Sequence, residues 1–580
     1  MPSATYPTQD MAQLTNPVRR VTQKQARVAS PVGGLNFINS TMDFPLEDAY
    51  VLDNMLPRAY GCEIRKGWRN WVPEANKFTA AVKTIMTYAG ATKNASRIFA
   101  CPAEPTSKIY NVTTLGAVPI VSLTPTTAPT VPGEWYFTNY VNISGNLLLV
   151  VAAGAGYYIY DGSGDVTGWR RIIDGDGVTP DGSGKINSIK FPAVTAPTVP
   201  MTVDKIAFVW IWKTRVWFLR KDSSLVYYLP SGQVTGIAAE FDFGQQLNQG
   251  GSLQWAGNWT YDSGDGIDDG LILASTEGQI LVYEGTDPAV AASFQMKGRW
   301  YAGRFPYGRR NFCDHGGNIV FLCEYGIVSI SDLVSGRLHT ANLAGSVGYK
   351  MNPRLSRQVS ENLDKPYWFM HPYAPDEMLV VGTPMYDMIG YRQTVAMNSV
   401  TDAWCTFSGM DFLSADVFHG QFIYGSANGT VNQAFFGNLD GMKFDNTGGV
   451  LVSARLQGAF NDYGEPNLNK RILRVKLYGR AQADPTFNAR YLSEYKLEDP
   501  ISAPTAKVDK VYRWDDDGSS TGTRGSRWDE ALWTDDDGSF HRWFGVAGFG
   551  KKLSLQIAMR GAGTTAYTDH EAVFEIGNGL

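Results

Sequence analysis

Seven times between Arg97 and Phe436 the sequence runs through an apolar hairpin, turns on Gly, Asn or Asp, and begins again. The first apolar residues of the seven cores fall near positions 98, 147, 206, 271, 319, 378 and 422, a spacing of 44 to 65 residues. A four-stranded propeller blade takes about 40 to 50 residues, so the period fits a radial array of sheets whose members carry insertions. The repeats are short runs of Val, Ile, Tyr, Phe and Trp punctuated by Gly, with no 3.6-residue stripe, which argues against a helical solenoid. No WD or kelch-type signature recurs at the period. The expected fold is all-β: a β-propeller of six or seven blades with insertions, followed by a C-terminal antiparallel β-sandwich-like domain.

Beyond Gly449 the repeats give way to strands with period-two patterning. Apolar residues alternate as Val452, Ala454, Leu456; Leu473, Val475, Leu477; Leu553, Leu555, Ile557, Met559; and Ala572, Phe574, Ile576. The chain therefore divides into a flexible arm at 1–31, a segment at 32–75 that docks on and closes the propeller, the propeller at 76–448, and the C-terminal β domain at 449–580. An aromatic, acidic insertion at 507–544 is expected to project from that last domain. Two stretches containing Thr-Ala-Pro-Thr-Val-Pro, at 124–135 and 191–201, read as linkers between blades or as surface loops, at equivalent edges of neighbouring blades. Residues 161–185 read as a long flexible loop that reaches a neighbouring subunit.

Hydrophobic residues make up 44% of the 580, enough for a large core. No stretch has the roughly 18 uninterrupted apolar residues of a transmembrane helix, and the first thirty residues lack the apolar core of a signal peptide, so no membrane anchor is expected. Five scattered cysteines, at 62, 101, 313, 323 and 405, read as buried free thiols. No zinc-binding spacing of Cys or His occurs.

The net charge of −5 excludes a protein that coats DNA electrostatically. The clearest basic excess lies in the arm, where Arg19, Arg20, Lys24 and Arg27 face only Asp10, leaving 4 − 1 = +3 through Gly34. These four are candidate contacts to an adaptor or a neighbouring subunit, ordering against acidic surface. Deleting residues 2–30 is expected to weaken docking and leave the fold intact. Residues 32–71 open on a Gly33-Gly34 turn; Asp43 reads as a helix cap ahead of Pro45, and Leu46, Ala49 and Leu52 as one side of a short helical turn. Glu63 to Trp68 then enters a strand.

Within the insertion, Trp514 precedes Asp515-Asp516-Asp517-Gly518, and Trp533 stands two residues before Asp535-Asp536-Asp537-Gly538. An EF-hand needs Glu at its twelfth position, but counting from Asp515 and Asp535 gives Ser526 and Val546, so Asp-Gly turns explain the acids. Trp514, Trp528, Trp533 and Trp543 are candidate anchors for a subunit or tail-fibre contact, with core packing the competing explanation. Asp262, Asp265, Asp268 and Asp269 form a second acidic cluster in a Gly-rich loop with no identifiable general acid beside it. Gly518 to Gly522 spells Gly-x-Ser-x-Gly without the strand and helix of a nucleophile elbow, and no Walker-type loop occurs. No catalytic residue, cofactor or metal is assigned.

The pattern Gly33-Gly34-Leu35-Asn36, then Pro45-Leu46 with Ala49, Leu52 and Asn54, then Gly61, Arg65 and Gly67, resembles the tail nozzle or hub proteins of short-tailed bacteriophages, including their tail-accessory, DNA-stabilisation proteins. The resemblance implies a homohexameric ring beneath the portal and adaptor, located in the virion tail after synthesis in the host cytoplasm. Such a ring extends the DNA channel, helps retain the genome, carries fibres or spikes, and passes double-stranded DNA without specific binding. It implies no enzymatic activity. A conduit that must release DNA is suited to mild negative charge, since each phosphate paired to Lys or Arg adds a counterion-release term. Six copies would carry 6 × −5 = −30. A second reading, from a different class, is a monomeric propeller that binds or cleaves carbohydrate with exposed Trp and Asp.

Overall fold

A computed structural model describes residues 23–193, 199–262, 267–290, 292–336, 346–386, 390, 392–482, 485–502, 504, 538–561 and 563–577. The protein is an all-β chain in which successive short, mostly antiparallel sheets form a propeller and the two ends of the chain combine into a sandwich joined to it. Each expected hairpin lies inside one of these sheets. Leu148 to Ala152, for example, pairs residue by residue with Gly156 to Tyr160 across a tight turn at Gly154, whose φ is +92°.

Five blades are sheets of their own: four strands at 82–123, six at 136–237, four at 206–242, four at 253–301 and three at 312–329. The next repeat, strands Phe369–Tyr373 to Trp404–Phe407, is part of a nine-stranded sheet that continues into the sandwich. The last, Ser414–Phe418 to Val431–Ala434, takes its fourth strand from the other end of the chain. Trp68–Asn70 supplies it, Asn432 pairing with Asn70 and Ala434 with Trp68, and this sheet packs against the first blade. Only five of the six or seven expected blades are thus self-contained; the other two repeats borrow strands from the terminal segments.

The borrowing redraws the expected domain boundaries. Only Trp68–Asn70 of the docking segment closes the propeller, whereas Met55–Arg58 and Gly61–Ile64 join a seven-stranded sheet of the sandwich. That sheet is centred on two thirteen-residue strands, Asn469–Ala481 and Thr565–Gly577. The arm is likewise not free as far as residue 31. Gln23–Ala29 pairs antiparallel with Thr565–Gly577 along seven residues, because its small and apolar side chains, Ala26 and Val28, pack on the sandwich core. The facing layer is Asp48–Asp53, Ser453–Gly458, Leu553–Arg560 and Thr486–Ser493, all within the nine-stranded sheet. Leu456, Leu555 and Ile557 of one layer share a core with Val475, Leu477 and Phe574 of the other.

No helix forms at 46–52. Asp48–Asp53 is a strand, and its register slips between Ala49 and Val51 so that Tyr50 is bulged out. The bulge puts Ala49 and Leu52, three apart, on one buried face while Leu46 is exposed. Residues 161–185 are not a free loop either: Trp169–Asp174 is the fourth strand of the second blade, paired with Gly156–Tyr160. Residues 124–135 link the first blade to the second, and the described residues of 191–201 follow Ser188–Lys190 of the second blade and precede Ile206–Trp212 of the third. No helix among the described residues is long and apolar enough to cross a membrane.

Candidate functional site

The outward face of the seven-stranded sheet carries Arg27 and Trp543, two of the three candidate contact residues that the structure describes. Alternation along Thr565–Gly577 sends His570, Ala572 and Phe574 inward and Asp569, Glu571 and Glu575 outward; along Asn469–Ala481 it sends Val475 and Leu477 inward and Arg474, Lys476, Tyr478 and Arg480 outward. Cross-strand register then aligns Arg27, Glu571, Lys476 and Trp543 in one row over four strands.

The row is held together by charge and ring contacts. Arg27 donates from Nε and Nη2 to the two carboxylate oxygens of Asp569 at 2.6 and 2.8 Å, and its guanidinium lies 5.0 Å from the Tyr478 ring centre. The hydrogen bond to Asp569 is the largest cause raising the Arg27 pKa, with the Asp569 charge next. Tyr478 donates its hydroxyl to Glu571 at 2.7 Å. Arg474 sits 4.5 Å and the Lys476 ammonium 5.6 Å from the ring centre of Trp543, which is 41% exposed. Arg480 rests over Tyr60 at 5.4 Å. Five cations, Arg27, Arg471, Arg474, Lys476 and Arg480, face three acids, Asp569, Glu571 and Glu575, so the face carries 5 − 3 = +2. Such cation–ring pairs hold long side chains in place.

Lys24 lies at the rim of the same sheet in an ion pair with Glu465. Arg19, Arg20, Trp514, Trp528 and Trp533 lie outside the described residues. The structure adds Arg474, Lys476, Tyr478, Arg480 and Tyr60, which the sequence reading passed over. The signal was present in Asn469–Ala481, where basic side chains alternate with the apolar ones.

Beneath this face the sheet buries polar groups. Burial pushes the His570 imidazole down to about 4; its Nδ1 is 2.7 Å from the Tyr567 hydroxyl and its Nε2 3.3 Å from that of Tyr463. Lys470 is buried with its ammonium donating to the carbonyls of Glu465 and Leu468 at 2.6 and 2.8 Å.

A second feature is a cleft of about 1110 Å³ where the propeller meets the sandwich, over the outer face of the nine-stranded sheet. Its floor includes Thr406, Asp53 and Arg455, neighbours in cross-strand register. Asp53 accepts hydrogen bonds from Ser408 Oγ at 2.8 Å and Thr406 Oγ1 at 3.2 Å, while burial holds its carboxyl above the usual range against the pull of Ser408, Arg65 and Arg455. Arg65, its side chain buried, grips Asp440 with two bonds of 2.8 and 2.7 Å and donates to Asn54 Oδ1 at 2.7 Å.

All five cysteines are buried and unpaired, and burial pushes the Cys62, Cys313 and Cys323 thiols up to about 12. Among the described residues no cluster of three or more His, Cys, Asp or Glu side chains could hold a metal ion. Of the acidic cluster at 262–269, Asp262 ends one strand of the fourth blade, Asp268 and Asp269 belong to the next, and Asp265 lies outside the described residues. Asp269 stands 3.6 Å from the Lys213 ammonium.

No family model matches this chain, and no curated protein matches it. Three similar solved structures are the computationally designed Ika8 protein (9% identity, 63% of this chain and 99% of that one, TM-score 0.33), Sqt1 of Saccharomyces cerevisiae (12%, 64% and 99%, 0.34) and YCF48 bound to D1 peptide (11%, 65% and 98%, 0.33). The likeness is one of fold alone.

Proposed function

We propose that this chain is a structural protomer of a short bacteriophage tail, forming a homohexameric ring that extends the DNA channel below portal and adaptor. The observation that carries the reading is the outward-facing row of Arg27, Lys476 and Trp543, with Arg474 and Tyr478 beside it. Flat, preorganised faces of Arg, Tyr and Trp suit a fixed protein neighbour, because these residues supply large contact area at small ordering cost. In this reading the face meets the adaptor or the adjacent subunit, and the motif residues of 33–67 serve the scaffold. The nine-stranded sheet supports a load-resistant wall element, since a continuous hydrogen-bonded ladder ties propeller to sandwich.

Electron microscopy of the purified chain, alone and mixed with tail intermediates, tests this. Rings, or rings that appear only on the adaptor, are expected, and Trp543→Ala with Arg474→Glu should reduce ring or adaptor-bound particles. A chain that stays monomeric beside those partners while binding or cleaving a polysaccharide would replace this reading with the carbohydrate one.

A further inference from the structure

The cleft between propeller and sandwich carries an inference that holds whether or not the chain forms a ring. Three guanidinium groups line it, Arg354, Arg455 and Arg560, with the carboxylates Asp53 and Asp440, and the buried Arg65 behind the wall already neutralises Asp440, so the balance is 3 + 1 − 2 = +2. Removing the Arg65–Asp440 pair leaves three guanidinium groups facing Asp53, whose oxygens already accept from two hydroxyls.

Buried polar atoms on this face lack partners. Ser453, Arg560 and Thr486 are consecutive neighbours across three strands, and Ser453 Oγ, Arg560 Nε and Thr486 Oγ1 are all buried without a hydrogen bond. Unsatisfied buried donors are costly, and these three mark the part of the sheet face whose polar groups the chain itself does not partner. Arg354, on helix Asn352–Glu361, is steadied by Gln393 Oε1 at 2.6 Å and lies 5.1 Å from the Phe37 ring centre. Tyr386 and Val450, each 63% exposed, are also among the cleft residues and offer apolar contact.

We propose that this cleft binds an extended acidic peptide segment of a partner protein, its carboxylates taken by Arg354, Arg455 and Arg560. Planar guanidinium groups match carboxylates in two-point bonds, and a cleft of about 1110 Å³ has room for several residues.

The test is fluorescence anisotropy of a labelled hexa-aspartate peptide titrated with the full-length protein. Saturable, salt-sensitive binding is expected, weakened about tenfold or more by Arg455→Gln combined with Arg560→Gln and by Arg354→Gln alone. Arg354→Gln, on a helix at the cleft wall, serves if the double variant does not fold. Arg474→Gln on the outer sheet face should leave the affinity unchanged. Absence of saturation, binding indifferent to the cleft substitutions, equal loss in Arg474→Gln, or displacement of the peptide by a duplex DNA oligonucleotide would each overturn the proposal.

Discussion

Three single residues show what the N-terminal motif and the buried polar groups do. Gly34 has φ +77°, and a Cβ there would stand 2.6 Å from the backbone nitrogen of Trp404, so Gly34→Ala is expected to cost about 2–4 kcal/mol in chemical denaturation. Arg65→Ala strands the Asp440 carboxylate and removes one of two donors to Asn54 Oδ1, which keeps the Ser408 N–H; with Asp440 partly exposed the cost is expected at about 3 kcal/mol, the lower end for breaking a buried pair. Arg65→Lys should recover little of it, since an ammonium cannot reproduce the two-point bond. His570 supplies a pH effect whose sign follows from burial. Its imidazole stays neutral in the fold down to about 4, while the unfolded chain takes up a proton below 6.5, so stability falls as pH is lowered from 6.5 towards 4. The full loss from this group is about 3 kcal/mol. Urea midpoints measured across that window should flatten in His570→Gln; an unchanged slope would assign the pH dependence to other groups.

At the scale of elements, most strands were legible because each hairpin carries its own apolar run and turn residue. What misled was local irregularity. Ala49 and Leu52 imitate helical spacing because the bulge at Tyr50 inserts one residue into the strand, and a similar slip between Ile472 and Arg474 makes Ile472, rather than Leu473, the buried partner of Val475 and Leu477. Nor does period-two patterning say which strand a segment joins, so the sharing of terminal strands between propeller and sandwich was not readable. Of the proposed contact face, Arg27 and Trp543 stand out by charge and residue type, but their alignment depends on pairing between segments more than five hundred residues apart. The pairing changes what deletion of residues 2–30 should do. It removes a seven-residue ladder and the Arg27–Asp569 ion pair and uncovers an edge of Thr565–Gly577. The truncated protein is expected to fold with stability lower by about 2–4 kcal/mol, visible as an earlier thermal transition.

For the whole molecule, the decisive property is that propeller and sandwich share both strands and core. The chain crosses from sandwich to propeller between Gly61–Ile64 and Trp68–Asn70, and Arg65, at the crossing, ties Asn54 of one unit to Ser408 and Asp440 of the other. One continuous apolar cluster runs from Leu355, Val380 and Phe422 through Leu52 and Met55 to Leu555 and Phe574. Units joined only by a linker unfold separately, whereas units with a common core and a common sheet lose their partner's support the moment either opens. Scanning calorimetry of the intact chain should therefore show a single main transition that coincides with the loss of both near-UV and far-UV circular dichroism. Weakening the crossing with Arg65→Ala and Asp440→Ala together should split it, the sandwich and propeller melting apart. Two transitions already present in the unaltered protein would mean that the shared sheet transmits little of the load between propeller and sandwich, and would remove the mechanical argument for a stiff tail wall.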